Sequence, residues 1–213
     1  AGGLGSRLAL STNVCNKHLL PVYNKPMIYY ALSILIAGGI DHVLIVVNPA
    51  DEPLFRRLLG DGSFCGLRID YVKQPTPSGI AGAVLACRSS IQHDESVVVL
   101  LGDNVFFGAG IGSLLSSAII SADLNDSVSI YLVPVESPDR FGVAKIGSEG
   151  LEFVVEKPLP GTAPSNLAVV GMYVFPKGVF ETIEPMSPSA RGELEITELI
   201  NRYVDKNEII FHE

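Results

Sequence analysis

The sequence is short of cysteine, of cations and of long apolar runs, and each shortage removes a class of function. Its three cysteines, Cys15, Cys65 and Cys87, are dispersed with no CxxC spacing. An odd, scattered set reads as reduced thiols in a cytoplasmic protein, not as a disulfide framework. Lys and Arg together number 15 against 23 Asp and Glu, for a formal charge of −8. A chain that tracks a nucleic-acid backbone carries a basic face, so nucleic acid is not expected as a partner. A single mononucleotide needs only a local cluster of cations, and remains open. The most apolar helical stretch, MIYYALSILIAGGI, is interrupted by glycine and falls short of the roughly 20 residues that a bilayer span requires. No membrane span or signal peptide is visible, and the cytoplasm is the expected compartment.

What is present is the composition of a globular chain. With 213 residues, 47% of them apolar and 18% charged, there is enough to bury a sizeable core, and disorder is not expected. In the first half, apolar strand-like runs alternate with segments of helical period. HVLIVVN (42–48), LRIDYVKQ (67–74) and SVVVLLGDN (96–104) are strands; 25–40, 51–62 and 78–91 have helical spacing. That alternation predicts a doubly wound, mainly parallel sheet. In the second half, close-spaced runs at 127–135, 142–147, 151–158 and 168–175 predict antiparallel or mixed additions. A helix over 192–207 and a last strand over 208–213 complete the reading, with no repeat or linker. One α/β domain over 1–213 is expected.

The chain opens on AGGLGSRL, a glycine cluster followed by an arginine. Counted from Gly3, a dinucleotide fingerprint would need a third glycine where Leu8 stands. A P-loop would end Gly-Lys-Ser/Thr, whereas this loop has Gly5-Ser6-Arg7. What remains is a small-residue turn whose N–H groups can approach an anion, with Arg7 adding a fork of donors, or else an ordinary surface turn. Lys17 and Lys25 follow, a local enrichment in cations that favours a polyphosphate. Asp103 ends a buried strand, where open α/β sheets bind ligands; beside a triphosphate it suits a Mg²⁺ ligand, or it caps a turn with Asn104. Gln74, before the two-proline turn of QPTPSGIAGA, can donate and accept, which suits a base edge. In EKP, Glu156 and Lys157 lie side by side at a strand end. Adjacent strand residues face opposite ways, so each is expected to need its own partner rather than the other.

Taken together, GGLGSRL, KHLLPVYNKPMIYY, QPTPSGIAGA, LGDNVFFG, RFGV, EKP, GMYVF and SARGELEIT resemble, in register, the sugar-1-phosphate nucleotidylyltransferases. The similarity is strongest to the members that use dTTP and glucose 1-phosphate. It implies a Rossmann-like, three-layer α/β fold with a mixed, mainly parallel central sheet. It further implies Mg²⁺-dependent attack of a sugar-phosphate oxygen on the α-phosphorus, with release of pyrophosphate. By resemblance, Gly2, Gly3 and Gly5 cradle the nucleotide, Arg7 binds its phosphates, and Lys17 lies beside the α-phosphate. Gln74 and Gly79 contact the thymine, and Asp103 holds the metal. Gly142, Glu156, Val170 and Tyr173 line the sugar pocket, with Lys157 on the sugar phosphate.

The pattern departs at Ser6, where threonine is usual, at Leu10, where proline is usual, and at Phe141, where tyrosine is common. The resemblance also implies a strand before Ala1 and a later segment carrying a second metal-binding aspartate, so a fragment of a longer, homo-oligomeric, tetrameric protein is expected. Rival readings are a uridylyl-, cytidylyl- or guanylyltransferase, and a non-catalytic sugar-nucleotide-sensing subunit.

Overall fold

The computed structural model describes residues 15–92 and 94–213, and the chain divides into two compact units. The first comprises the residues up to Pro77 together with Leu100–Ser117; the second comprises Ser78–Val99 and Ala118–Glu213.

The described part of the first unit begins with a 3₁₀ turn at Lys17–Leu19. Strands β1 (Pro21–Val22) and β2 (Lys25–Pro26) then pair antiparallel, with Pro21 opposite Pro26. The helix expected from residue 25 starts later, as α1 (Ile28–Ala37). Pro26 disfavours helical geometry in the residue before it, which holds Lys25 extended. Strands β3 (His42–Val47) and β4 (Arg68–Lys73) run parallel, registered from His42 opposite Arg68 to Val47 opposite Lys73. The connection between them carries α2 (Glu52–Leu59), the crossover that a parallel pair requires. Val47 and Phe55 are fully buried, and Ile45, Leu59 and Ile69 nearly so.

The second unit is built on a six-stranded sheet. Its strands are β5 (Val97–Leu100), β6 (Val128–Pro134), β7 (Gly142–Gly147), β8 (Gly150–Glu156), β9 (Leu167–Phe175) and β10 (Ile209–His212). The order is β10-β6-β9-β7-β8, with β5 also pairing with β9. β10 and β6 are parallel, while β6 with β9 and β7 with both its neighbours are antiparallel. The mixed sheet of an α/β fold, expected from the sequence, is the sheet observed.

Helices α3 (Gly79–Ala86), α5 (Val179–Ile183) and α6 (Ile196–Val204) share one core with this sheet, in which Ala81, Ile183, Leu199 and Ile200 meet Val128, Ile130 and Phe175. A further helix, α4 (Ile111–Asn125), was not expected from the sequence. The C-terminal helix, by contrast, is shorter than expected. Residues 192–195 lie outside it, and Glu195, its N-cap, is extended at ψ 136°. That difference decides the geometry of the site below.

Candidate functional site

Gly2, Gly3, Gly5 and Arg7 lie outside the described residues. The remaining expected residues fall in both units.

In the first unit, Lys17 and Asp103 meet. Lys17 opens the 3₁₀ turn, and Asp103 lies three residues beyond Leu100, the last residue of β5. The Lys17 ammonium donates to Asp103 Oδ2, and Asn104 Nδ2 donates to Asp103 Oδ1 at 3.1 Å. Burial favours the protonated carboxyl, but the hydrogen bond and charge of Lys17 outweigh it, so Asp103 titrates below the ordinary carboxylate range.

The residues flanking Lys17 are more deeply buried than Lys17 itself. Asn16 is 8% exposed and His18 is 3% exposed. Asn16 Oδ1 accepts from the His18 backbone N–H at 3.1 Å and lies 2.7 Å from His18 Nδ1. Asn16 Nδ2 donates to Asp51 Oδ2 at 2.8 Å. Burial pushes the His18 imidazole down to about 3, so it is neutral at physiological pH.

Gln74 is buried, and its backbone N–H donates to Val47 O at 2.9 Å, continuing the pairing of β4 by one residue. Lys25 lies with its ammonium 4.9 Å from the centre of the Tyr30 ring. A cleft of ≈ 520 Å³ opens beside α1, lined by Ser33, Ile34, Ala37, Phe106, Phe107 and neighbouring residues. It contains none of the expected site residues.

In the second unit, Gly142, Glu156, Lys157 and Tyr173 come together. Gly142 pairs with Glu156 across β7 and β8, and a methyl group on Gly142 would lie 2.7 Å from Thr197 Cγ2 and 3.6 Å from Glu156 Oε2. Tyr173 is buried on β9, and burial, then the charge of Glu156, raise its phenol above the ordinary value. Val170 is half-buried on the same strand.

The expectation that Glu156 and Lys157 would not pair is wrong. Lys157 Nζ lies 3.4 Å from Glu156 Oε1. The strand ends at Glu156, and Lys157 has φ +42°, so strand alternation no longer governs its side chain. Left-handed backbone in a lysine costs about 1–3 kcal/mol and is a recurrent feature of ligand-binding sites.

Sequence reasoning did not single out Arg191. Its Nη2 donates to Glu156 Oε1 at 2.9 Å and to Glu195 Oε2 at 2.7 Å, and its Nε donates to Glu195 Oε1 at 3.0 Å. Ser189 Oγ donates to the same Glu195 oxygen at 2.6 Å. Glu195 first, then Glu156, raise the already high pKa of Arg191. The i, i+4 spacing of Arg191 and Glu195 inside SARGELEIT is the signal that was available. The loop is seated through Leu194, whose N–H donates to Ser78 O at 2.8 Å. Gly79 has φ +84°, and a Cβ there would collide with the Leu194 carbonyl oxygen.

Among the described residues, no three or more His, Cys, Asp or Glu side chains gather as a metal cage. Mg²⁺ is commonly held by one or two carboxylates plus substrate phosphates. Asp103, ionised at neutral pH and partly buried, fits the protein's share of such a site.

A family model described as "Nucleotidyl transferase" matches residues 1–211. The chain belongs to the nucleotidyl transferase family. It is 40% identical over 205 residues to the glucose-1-phosphate thymidylyltransferase of Neisseria meningitidis serogroup A, an alignment covering 96% of this chain and 69% of that protein. It is 41% identical over 210 residues to the enzyme of the same name from Mycobacterium tuberculosis, covering 98% and 70%. A crystal structure from Bacillus anthracis, described as a candidate glucose-1-phosphate thymidylyltransferase bound to sucrose, superposes with a TM-score of 0.89 at 35% identity. That superposition covers all of this chain and 84% of the other. A UDP-glucose pyrophosphorylase bound to UDP-glucose shares the fold, with a TM-score of 0.86 at 23% identity over 100% and 88% of the two chains. No described helix is long and apolar enough to cross a membrane.

Proposed function

We propose that this transferase joins dTTP to glucose 1-phosphate in the cytoplasm, giving dTDP-glucose and pyrophosphate, as a step in nucleotide-sugar synthesis for cell-surface glycans. The observation that carries the reading is the pairing of Lys17 with Asp103 beyond the end of β5. It occurs in a chain about 40% identical to thymidylyltransferases along almost its whole length.

The reaction makes one P–O bond and breaks another. A phosphate oxygen of glucose 1-phosphate attacks the α-phosphorus of dTTP, and the bridging oxygen between the α- and β-phosphorus leaves with pyrophosphate. The protein's part is positioning and electrostatic stabilisation, with no covalent enzyme intermediate. Without substrate, the Lys17 ammonium is neutralised by Asp103; a triphosphate offers it a competing anion, and it then stabilises charge on the α-phosphoryl oxygens. Arg7 binds the outer phosphates, Gly2, Gly3 and Gly5 let their backbone approach closely, and Gln74 and Gly79 contact the thymine. Asp103 would hold Mg²⁺, which supplies charge neutralisation at the phosphates. On the sugar side, Lys157 takes the phosphate, while Gly142, Glu156, Val170 and Tyr173 shape the pocket. Arg191 is added to this set, because its guanidinium shares the Glu156 carboxylate with Lys157.

Pyrophosphate release tests the proposal, measured for dTTP, UTP, CTP and GTP against a panel of sugar 1-phosphates, with Mg²⁺ and with EDTA. The expected result is turnover fastest with dTTP and glucose 1-phosphate and lost in EDTA. Preference for another pair reassigns the substrate. Binding without turnover of any pair supports a sensing subunit instead.

A further inference from the structure

Lys17 is long and only partly buried, yet its ammonium meets the Asp103 carboxylate. Neither side chain explains this alone. The residue before Lys17 and the residue after it are joined through a single atom, Asn16 Oδ1, which accepts from the His18 backbone at 3.1 Å and faces His18 Nδ1 at 2.7 Å. Because that oxygen can only accept, Nδ1 carries the proton. The amide cannot be flipped, since its Nδ2 is spent on Asp51 Oδ2 at 2.8 Å and a flip would turn oxygen toward carboxylate. Asp51 thus fixes Asn16, and Asn16 caps the turn that starts at Lys17.

The other end of the imidazole reaches the Asp103 side. A Cβ on Gly102 would lie 2.8 Å from His18 Cδ2, so the ring edge occupies the space that any larger residue before Asp103 would need. The Phe55 ring, 6.5 Å from the His18 ring centre, backs it from the protein interior. Each partner of the ion pair therefore has a sequence neighbour in a buried assembly. Asn16 and His18 are too buried to touch a substrate.

We infer that Asp51, Asn16 and His18 form a positioning relay that sets the Lys17 ammonium opposite Asp103. The inference extends the proposed function, because Lys17 is the group it serves. Misplacement of a catalytic group by about 1 Å can cost on the order of 100-fold in rate, which gives such a relay a kinetic role.

The test uses Asn16→Ala, His18→Phe and His18→Gln in the full chain. Phe fills the space but cannot donate to Asn16; Gln can donate. The first measurement is independent of turnover: the acetylation rate of each lysine under acetic anhydride, read by peptide mass spectrometry. Asn16→Ala and His18→Phe should raise the Lys17 rate several-fold and leave Lys73 and Lys145 unchanged, with His18→Gln close to the parent. An unchanged Lys17 rate overturns the relay, and so does a rise at every lysine, which marks general loosening. The second measurement is kinetic. Asn16→Ala and His18→Phe should lower kcat by about 10-fold or more with little change in the KM for glucose 1-phosphate, and His18→Gln should restore most of the loss. A rise in that KM at constant kcat overturns the relay. If the parent chain transfers no thymidylyl group, the proposed function fails while the acetylation pattern still decides the relay.

Discussion

The Lys17 ammonium is bonded to the Asp103 carboxylate across 86 residues of sequence. The pair lies in a partly buried place, where removing one partner leaves the other's charge poorly compensated. Lys17→Ala should lower kcat by about 100-fold or more, the usual loss when a preorganised transition-state donor is removed. Asp103→Ala should lose turnover to a similar degree and respond weakly to added Mg²⁺. Pyrophosphate release at saturating substrates checks both, with circular dichroism to confirm the fold. Near-normal kcat in either variant removes that residue from the chemistry.

Arg191 offers a second, separable prediction. Its fork spans two carboxylates, Glu156 and Glu195, which a lysine ammonium could not grip in the same way. Arg191→Ala should raise the KM for glucose 1-phosphate about 10-fold or more, the equivalent of one lost charge-assisted hydrogen bond. The KM for dTTP should change little, and Arg191→Lys should not restore the loss. Equal effects on both substrates would argue that Arg191 acts only on the fold.

The residues of the site mark how far the sequence could be read. Lys17 and Asp103 were singled out from local patterns, an enrichment in cations and the end of an expected strand, and their roles came from the resemblance. Their contact was not, since nothing local specifies a meeting between distant segments. Arg191 escaped because its position depends on where a loop is seated, and the residues just after it, from 192, read as helix. Glu156 and Lys157 were misread because strand alternation was carried one residue too far, past the point where Lys157 turns to φ +42°. Helix α4 escaped as well. Its serines at 113, 116, 117 and 121 blur the apolar stripe that betrays a helix. The α/β class survived these errors because it rests on many alternating segments and not on any one.

Glu195 gives a prediction in pH. Burial raises its carboxyl, but hydrogen bonds from Arg191 and Ser189 more than offset this and hold it below the ordinary glutamate value. A carboxyl depressed in the folded state adds stability above its unfolded pKa, about 4.3, and loses it as pH falls through the lower folded value. The parent should therefore melt above Glu195→Gln at pH 7, with the gap narrowing as pH falls below about 4.3. Scanning calorimetry of both proteins from neutral to acid pH measures it. A gap that stays constant with pH would mean that Glu195 contributes through packing alone.

The last prediction concerns Gly79, whose contact with Leu194 seats the loop that carries Arg191 and Glu195. An alanine at φ +84° would pay the left-handed penalty of about 1–2 kcal/mol. Its methyl would also strike the Leu194 carbonyl oxygen, and the Ser78–Leu194 hydrogen bond would have to lengthen as the loop moved away. At roughly 2–4 °C per kcal/mol for a chain of this size, Gly79→Ala should melt several degrees below the parent. Because the displaced loop holds Arg191 against Glu156, the KM for glucose 1-phosphate should rise in the same variant. A Gly79→Ala protein that lost only dTTP affinity would mean that Gly79 serves the base alone and that the loop finds its seat without it.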